Sequence, residues 1–262
     1  MAETLAPDLR PSVDVRRAGG RFETALPWLD SRHSFSFGPH RDPRNTHFGV
    51  LLVNNDDRVA PDTGFDTHPH RDMEIVTWVL DGELEHRDSM GHSGIIYPGL
   101  AQRMSAGTGI LHSEMNRGIA DAPGARTGTS MRPRGPVHFV QMWVVPDEGG
   151  IEPGYEQLDV NAELARGGLQ PVASGMGDDA AIRIAQRHAR LLAARLAPGE
   201  VVELPDAPFV HLFVPKGDVE LEGAGGLDTG DAVRLTGAGG PRLTAGADGA
   251  EVLVWEMHAA LR

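Results

Sequence analysis

The chain has 262 residues, with 24 basic and 37 acidic side chains and a formal net charge of −13. Direct nucleic-acid binding, which needs Lys and Arg against phosphate, is therefore not expected. The absence of cysteine excludes disulfides, zinc-thiolate sites, Cys-ligated iron–sulfur clusters and thiol nucleophiles, and the single lysine, Lys216, precedes Gly217, so a Gly-Lys-Ser/Thr phosphate loop is absent too.

The amino end, Met1 to Asp8, has neither the basic nor the apolar region of a signal peptide, and no apolar run approaches the ~20 residues of a membrane helix. A cytoplasmic protein without membrane contact is expected. Gly (33) and Pro (19) make up about a fifth of the chain and punctuate short apolar runs, a pattern of many strands and turns. Residues 1–12 read as a flexible tail. From Val13, strands are expected at Phe48 to Val53 and Glu74 to Leu80. The latter meets Asp81-Gly82 and then Glu83 to His86, which predicts a hairpin. Residues 137–145 form another strand, ended by Pro146 to Gly150. Residues 147–180 read as a linker, with Pro153-Gly154, Gly167-Gly168 and Gly175 to Asp179. It would hold one short helix from Asn161 to Arg166, capped by Asp159 or Asn161. Strands resume over 181–262, although Arg187 to Leu196 fits helix by composition and strand by context.

One internal similarity bears on domain organisation. Val79 to Glu85 and Val214 to Glu220 both read Val-x-x-Gly-acid-aliphatic-Glu, and each is followed by a Gly-containing turn and another strand. With the central linker, this suggests two copies of one all-β domain, over 13–146 and 181–262.

The chemistry concentrates in the first copy. Of 12 histidines, nine fall between His33 and His138. Residues i and i+2 of a strand face the same side, so His68 and His70 point together, as do His112 and Glu114. On neighbouring strands, the two pairs would surround one point with three imidazoles and a carboxylate, a donor set for a first-row divalent ion. Glu74, four residues after His70, fits the same strand parity and is an alternative fourth ligand. Parity does not separate the two carboxylates. The remaining histidines are expected at the surface, in turns or in support. Phe37, Phe48, Met73 and Met115 are candidates for a substrate pocket, with core packing the simpler expectation for each.

These residues resemble the cupin superfamily: His68-Pro-His70, three residues, Glu74, then Gly82, and later Gly109-Ile-Leu-His112-Ser-Glu114-Met-Asn116. Gly82 lies one residue late and Gly107 stands where proline is usual. Both departures, with Thr67 to Glu74, Met104 to Met115, Trp28 to Ser31, His33 to Phe37, Asp88 to Gly91 and Gln141 to Trp143, resemble the pirin family over Val15 to Pro146. The second half resembles the smaller carboxy-terminal cupin of bacterial pirin-like quercetinases. The resemblance implies two cupin (jelly-roll) barrels in tandem. It implies a metal in the first only, held by His68, His70, His112 and Glu114, with Glu74 in support. The metal is expected to be Fe(2+), with other divalent ions accepted. The implied activity is quercetin 2,3-dioxygenase chemistry on a flavonol, or on a related phenol or enol, with O2, where Glu114 and then Glu74 are candidate bases. The implied alternative is a non-enzymatic, iron-dependent, redox-responsive regulator that acts through a protein partner.

Overall fold

The computed structural model of the chain describes residues 4–5, 10–116 and 135–261. It is nearly all strand. In the first half, a seven-stranded sheet faces a four-stranded one. The larger has the order Gly154–Asp159, Leu100–Ser105, Glu74–Asp81, Val137–Val144, Leu51–Val59, Leu29–His33 and Phe22–Ala25. The smaller has the order Gly64–His70, Ile110–Met115, Leu84–Asp88 and Ser93–Ile96. The second half is one nine-stranded sheet in which two long strands, Phe209–Leu221 and Arg242–Met257, run side by side. Register shifts at Phe213/Lys216 and Gly217/Val219 bend the first of these strands, which lets a single sheet wrap around its own core. The architecture is two cupin barrels in tandem.

The expected hairpin at Asp81-Gly82 is absent. Glu74–Asp81 pairs with Leu100–Ser105 and Val137–Val144, whereas Leu84–Asp88 pairs with Ile110–Met115 and Ser93–Ile96. The Asp-Gly turn is a corner that carries the chain between sheets. Gly82 has φ +79°, and a Cβ there would come within 3.1 Å of the Val137 backbone. Its counterpart in the internal repeat, Gly217, has φ +76° and would place a Cβ 2.2 Å from the Gly249 carbonyl. Both repeats thus use glycine where one backbone crosses close over another.

The segment 147–180 carries elements of both barrels. Gly154–Asp159 extends the first large sheet beside Leu100–Ser105, and Gln170–Ser174 joins the second sheet beside Ala189–Leu196. Between them lies a helix, Asn161–Leu164; Val160 is its N-cap, and Asp159 Oδ1 accepts from the Asn161 backbone amide. Arg187 to Leu196 resolves as strand Ala189–Leu196. At the amino end, Ser12–Arg16 pairs with Ala232–Thr236 of the second half, and Thr4–Leu5 pairs with Ala259–Ala260. Residues 1–3 and 6–9 of the expected tail lie outside the described residues.

The halves share one apolar core. Val76, Trp78, Leu80, Val140 and Met142 of the first large sheet pack against Leu191, Phe209, Phe213, Leu253 and Trp255 of the second. Strand Glu74–Asp81 is therefore buried on both faces, which is why it reads as an apolar run and not as an alternation. Its other face, with Ile75, Thr77 and Val79, looks into the first barrel. No helix among the described residues is long and apolar enough to cross a membrane.

Candidate metal centre

Strand Gly64–His70 carries His68 and His70, and its neighbour Ile110–Met115 carries His112 and Glu114. Within Ile110–Met115 burial alternates, so Ile110, His112 and Glu114 are buried while Leu111 is exposed. The register sets His112 opposite His68 and then slips, placing Glu114 opposite Phe65. The slip is a bulge, of the kind found where barrels re-aim side chains.

The three imidazoles converge. Ring centroids lie 4.4 Å apart for His68 and His112, 4.8 Å for His68 and His70, and 4.9 Å for His70 and His112. One ligand atom from each lies within 4.8 Å of those of the other two. His86, His112 and Glu114 form a second group at the same spacing, so His112 is common to both. Glu114 receives the side-chain amide of Gln141 on both carboxylate oxygens, at 2.7 and 3.0 Å, and the Thr77 hydroxyl at 3.4 Å.

The donor atoms fit a bound cation. His70 Nε2 and both ring nitrogens of His112 are buried without a hydrogen-bond partner among the described residues, an arrangement that costs free energy unless something else engages them. His68 Nδ1 lies 2.7 Å from the Asp66 carbonyl oxygen. That nitrogen must donate, which leaves Nε2 with the free lone pair. Burial, and after it the His112 and His68 rings, pushes His70 down to about 4. Burial, followed by His68 and His86, pushes His112 down to about 3. Both rings are neutral at pH 7, as metal ligation requires.

The facing sheet supplies a polar row. Gln102, Thr77, Gln141, Asn55 and His33 sit at one level across five adjacent strands. Apolar clusters close the barrel on either side of this level: Leu29, Val59, Val79 and Phe139 on one, Ile75, Met104, Ala106 and Ile110 on the other. Asp57 is also buried here and accepts from the Ser31 hydroxyl. Burial, with the charges of Asp56 and Glu114 adding to it, raises its pKa to about 7.

Glu74 is placed elsewhere. His70 ends one strand and Glu74 begins the next, with a turn between them in which Asp72 takes φ +48°. Strand parity does not carry across that turn. Glu74 is fully buried, and its Oε2 accepts from the Ser105 hydroxyl at 2.9 Å and from the Ala185 backbone amide, in the second half, at 3.1 Å. Burial raises its pKa, with those hydrogen bonds and Arg103 opposing the rise. Glu74 belongs to neither group of converging ligand atoms.

Several residues at this centre are not singled out by the sequence reading. His86, expected at the surface or in support, is buried opposite Glu114, with Nε2 3.4 Å from Asp88. The available signal is the alternation Leu84, His86, Asp88 after a corner. Tyr155, from the segment read as linker, lays its ring 4.9 Å from His86 and stacks on His92 at 5.6 Å. Gln141 and Thr77 hold Glu114. Of the pocket candidates, Phe48 packs on Phe209 and Met73 joins the Ile75 cluster. Met115 lies over Gly64. Phe37 packs on Trp143, whose ring lies 4.8 Å from His70.

Residues 13–144 match the Pirin family profile, and residues 171–257 match that of the quercetinase C-terminal cupin domain. A Mycobacterium tuberculosis protein provisionally named quercetin 2,3-dioxygenase is 58% identical over 251 residues, spanning 95% of this chain and 97% of its own. The quercetin 2,3-dioxygenase of Escherichia coli K12 is 35% identical over 246 residues, 94% of this chain and 98% of its own. The crystal structure of Escherichia coli YhhW superposes with a TM-score of 0.80 at 34% identity, covering 94% of this chain and 97% of that one. The same bacterial pirin in complex with nickel(II) gives 0.79, covering 94% and 99%. With the profile match, the full-length relatives and the two-barrel fold in agreement, the chain belongs to the pirin family.

Proposed function

We propose that this chain is a metal-dependent dioxygenase that cleaves flavonols such as quercetin with O2. The metal would be held by His68, His70, His112 and Glu114, with Fe(2+) the expected ion and other divalent ions accepted, as nickel(II) is by the related YhhW. The observation that carries the reading is three converging imidazoles, two of them with buried nitrogens that have no partner among the described residues, on the same strand pair as a buried carboxylate. The names of the relatives supply the substrate class.

A divalent ion bound there supplies positive charge for an enolate-type oxygen and a place to gather O2 beside it. The chain's own residues do the rest. Glu114 accepts the proton of the flavonol 3-hydroxyl, while Gln141 and Thr77 fix the carboxylate's orientation. Trp143, edge-on to His70, and the Ile75 cluster shield this end of the chamber from water. The expected effect of Glu114→Gln is weaker metal retention on dialysis and a fall in quercetin turnover of about a hundredfold or more. Turnover near wild type would remove Glu114 from both roles.

A second reading keeps the same metal and replaces the substrate with a protein partner. Its support is an open groove of about 440 Å³ that reaches His70 and is lined by Pro69, Arg71, Ser89 and Leu111. Leu111 and the adjacent Met90 are exposed, as a contact surface would have them. The iron-dependent regulator of this reading would bind a partner through Leu111 and Met90 and show no quercetin turnover at any metal loading.

A further inference from the structure

A cavity of about 400 Å³ lies where the two barrels meet, in the size range of small-molecule sites; it holds none of the candidate metal ligands and touches the polar row of the first barrel at its end residue, His33. In a chain of net charge −13 it gathers four arginines, Arg16, Arg17, Arg21 and Arg234. Three of them have carboxylate partners: Asp14 for Arg16, Asp231 for Arg17 and Asp56 for Arg21. Arg234 makes no ion pair among the described residues; Asp14, opposite it in the strand pairing, acts on its charge but is bonded to Arg16. The carboxylate in the lining, Asp42, is taken up by Arg44, through its backbone amide at 2.9 Å and its guanidinium at 3.5 Å.

Arg234 is 6% exposed. It rests on the Phe35 ring at 4.5 Å, and its Nη2 donates to the Ser34 carbonyl and to Asn45 Oδ1. Its Nε is buried with no acceptor, and Nη1 donates to nothing among the described residues. Directly across the strand pair, His211 also lines the cavity, with both ring nitrogens buried and unpartnered among the described residues. Burial, and after it Arg234 and Arg21, pushes His211 down to about 3, and burial pulls Arg234 down to about 10. Water can satisfy such donors but does not balance a buried cation, and an anion does both. Arg16 and Arg17 at the rim are each paired with one carboxylate, and a guanidinium has five N–H donors, more than one such pair uses.

We propose that this inter-barrel cavity is a binding site for a small oxyanion, of the carboxylate or phosphate class, with Arg234 as its anchor and Arg16 and Arg17 as its rim. It is a site distinct from the metal centre, and one that a ligand would use to bridge the two barrels.

The test is calorimetric titration of the metal-loaded full chain with sodium phosphate, and in a second arm with sodium succinate, at an ionic strength fixed with chloride. The expected result is one anion bound per chain in at least one arm, preserved in His112→Ala. Arg234→Gln should weaken it about tenfold or more, the loss of one charge-assisted hydrogen bond. The rim variant Arg16→Ala breaks an ion pair between two half-exposed side chains only, so it reports even if Arg234→Gln fails to fold; it should weaken binding and flatten its salt dependence. Binding in the phosphate arm alone assigns a phosphoryl ligand, and in the succinate arm alone a carboxylate. No binding in either arm overturns the proposal. So does binding abolished by His112→Ala, which would place the anion at the metal, or binding indifferent to the rim variant.

Discussion

Glu74 and Glu114 are both buried carboxylates, yet their neighbours give them different work. Glu114 faces imidazoles and two side-chain donors inside the barrel, whereas Glu74 accepts a backbone amide from the other half of the chain. A carboxyl whose pKa is higher folded than unfolded holds its proton more tightly in the folded state. Stability is then lost as pH rises from the ordinary value of 4.5 through the raised one. Glu74→Gln removes that loss. Its melting temperature should match wild type below pH 4.5 and exceed it at pH 8 by a few degrees. Its quercetin kcat should stay within about twofold of wild type. A collapse of kcat in a folded Glu74→Gln protein would return Glu74 to the reacting centre. The metal-ligand candidates were legible because each pair sits within one strand, where the two-residue period holds. The placement of Glu74 was not, because the left-handed Asp72 breaks the period between it and His70. His86 was hidden for a related reason: its pairing is set by a corner that the local sequence presents as a hairpin.

At the scale of elements, the centre depends on how closely two strands approach at the bulge. Gly64 faces Met115, and a Cβ there would sit 2.1 Å from the Glu114 carbonyl oxygen. That contact is with backbone, so a strand must move. Gly64→Ala should shift Ile110–Met115 against Gly64–His70, lower the melting temperature and weaken metal affinity about tenfold or more, measured by competition with a chelator. Unchanged affinity would mean that the strand pair is not what spaces the imidazoles. The position of Gly64 as a contact point was invisible in the sequence, since the bulge that demands it arises from pairing between distant strands. The strand Glu74–Asp81, by contrast, was readable as a strand, although not as the layer shared by barrel interior and inter-barrel core.

Across the whole molecule, the two barrels are joined by a shared apolar core and by polar contacts. Beyond the shared apolar core, the Trp78 indole donates to Glu251 at 2.7 Å, and Lys216, the chain's one lysine, donates to the Leu80 carbonyl at 2.6 Å. Trp255 is fully buried at this seam, with its indole nitrogen 3.2 Å from Met142 Sδ. Trp255→Ala should cost about 3–5 kcal/mol, and thermal unfolding should be a single transition by near- and far-ultraviolet circular dichroism; two separated transitions would mean that the barrels fold independently. The two-barrel plan was legible from a seven-residue repeat and from the resemblance of each half. The seam was not, because residues 147–180 look like a connector while closing one barrel and entering the next. The central claim, that these three imidazoles and Glu114 hold a metal for flavonol dioxygenation, is tested most directly by oxygen uptake. Quercetin is added to anaerobically prepared, Fe(II)-reconstituted protein, with His112→Ala as the blank. The account predicts uptake that depends on quercetin and vanishes in the blank; no uptake from protein shown to hold one metal per chain would contradict it.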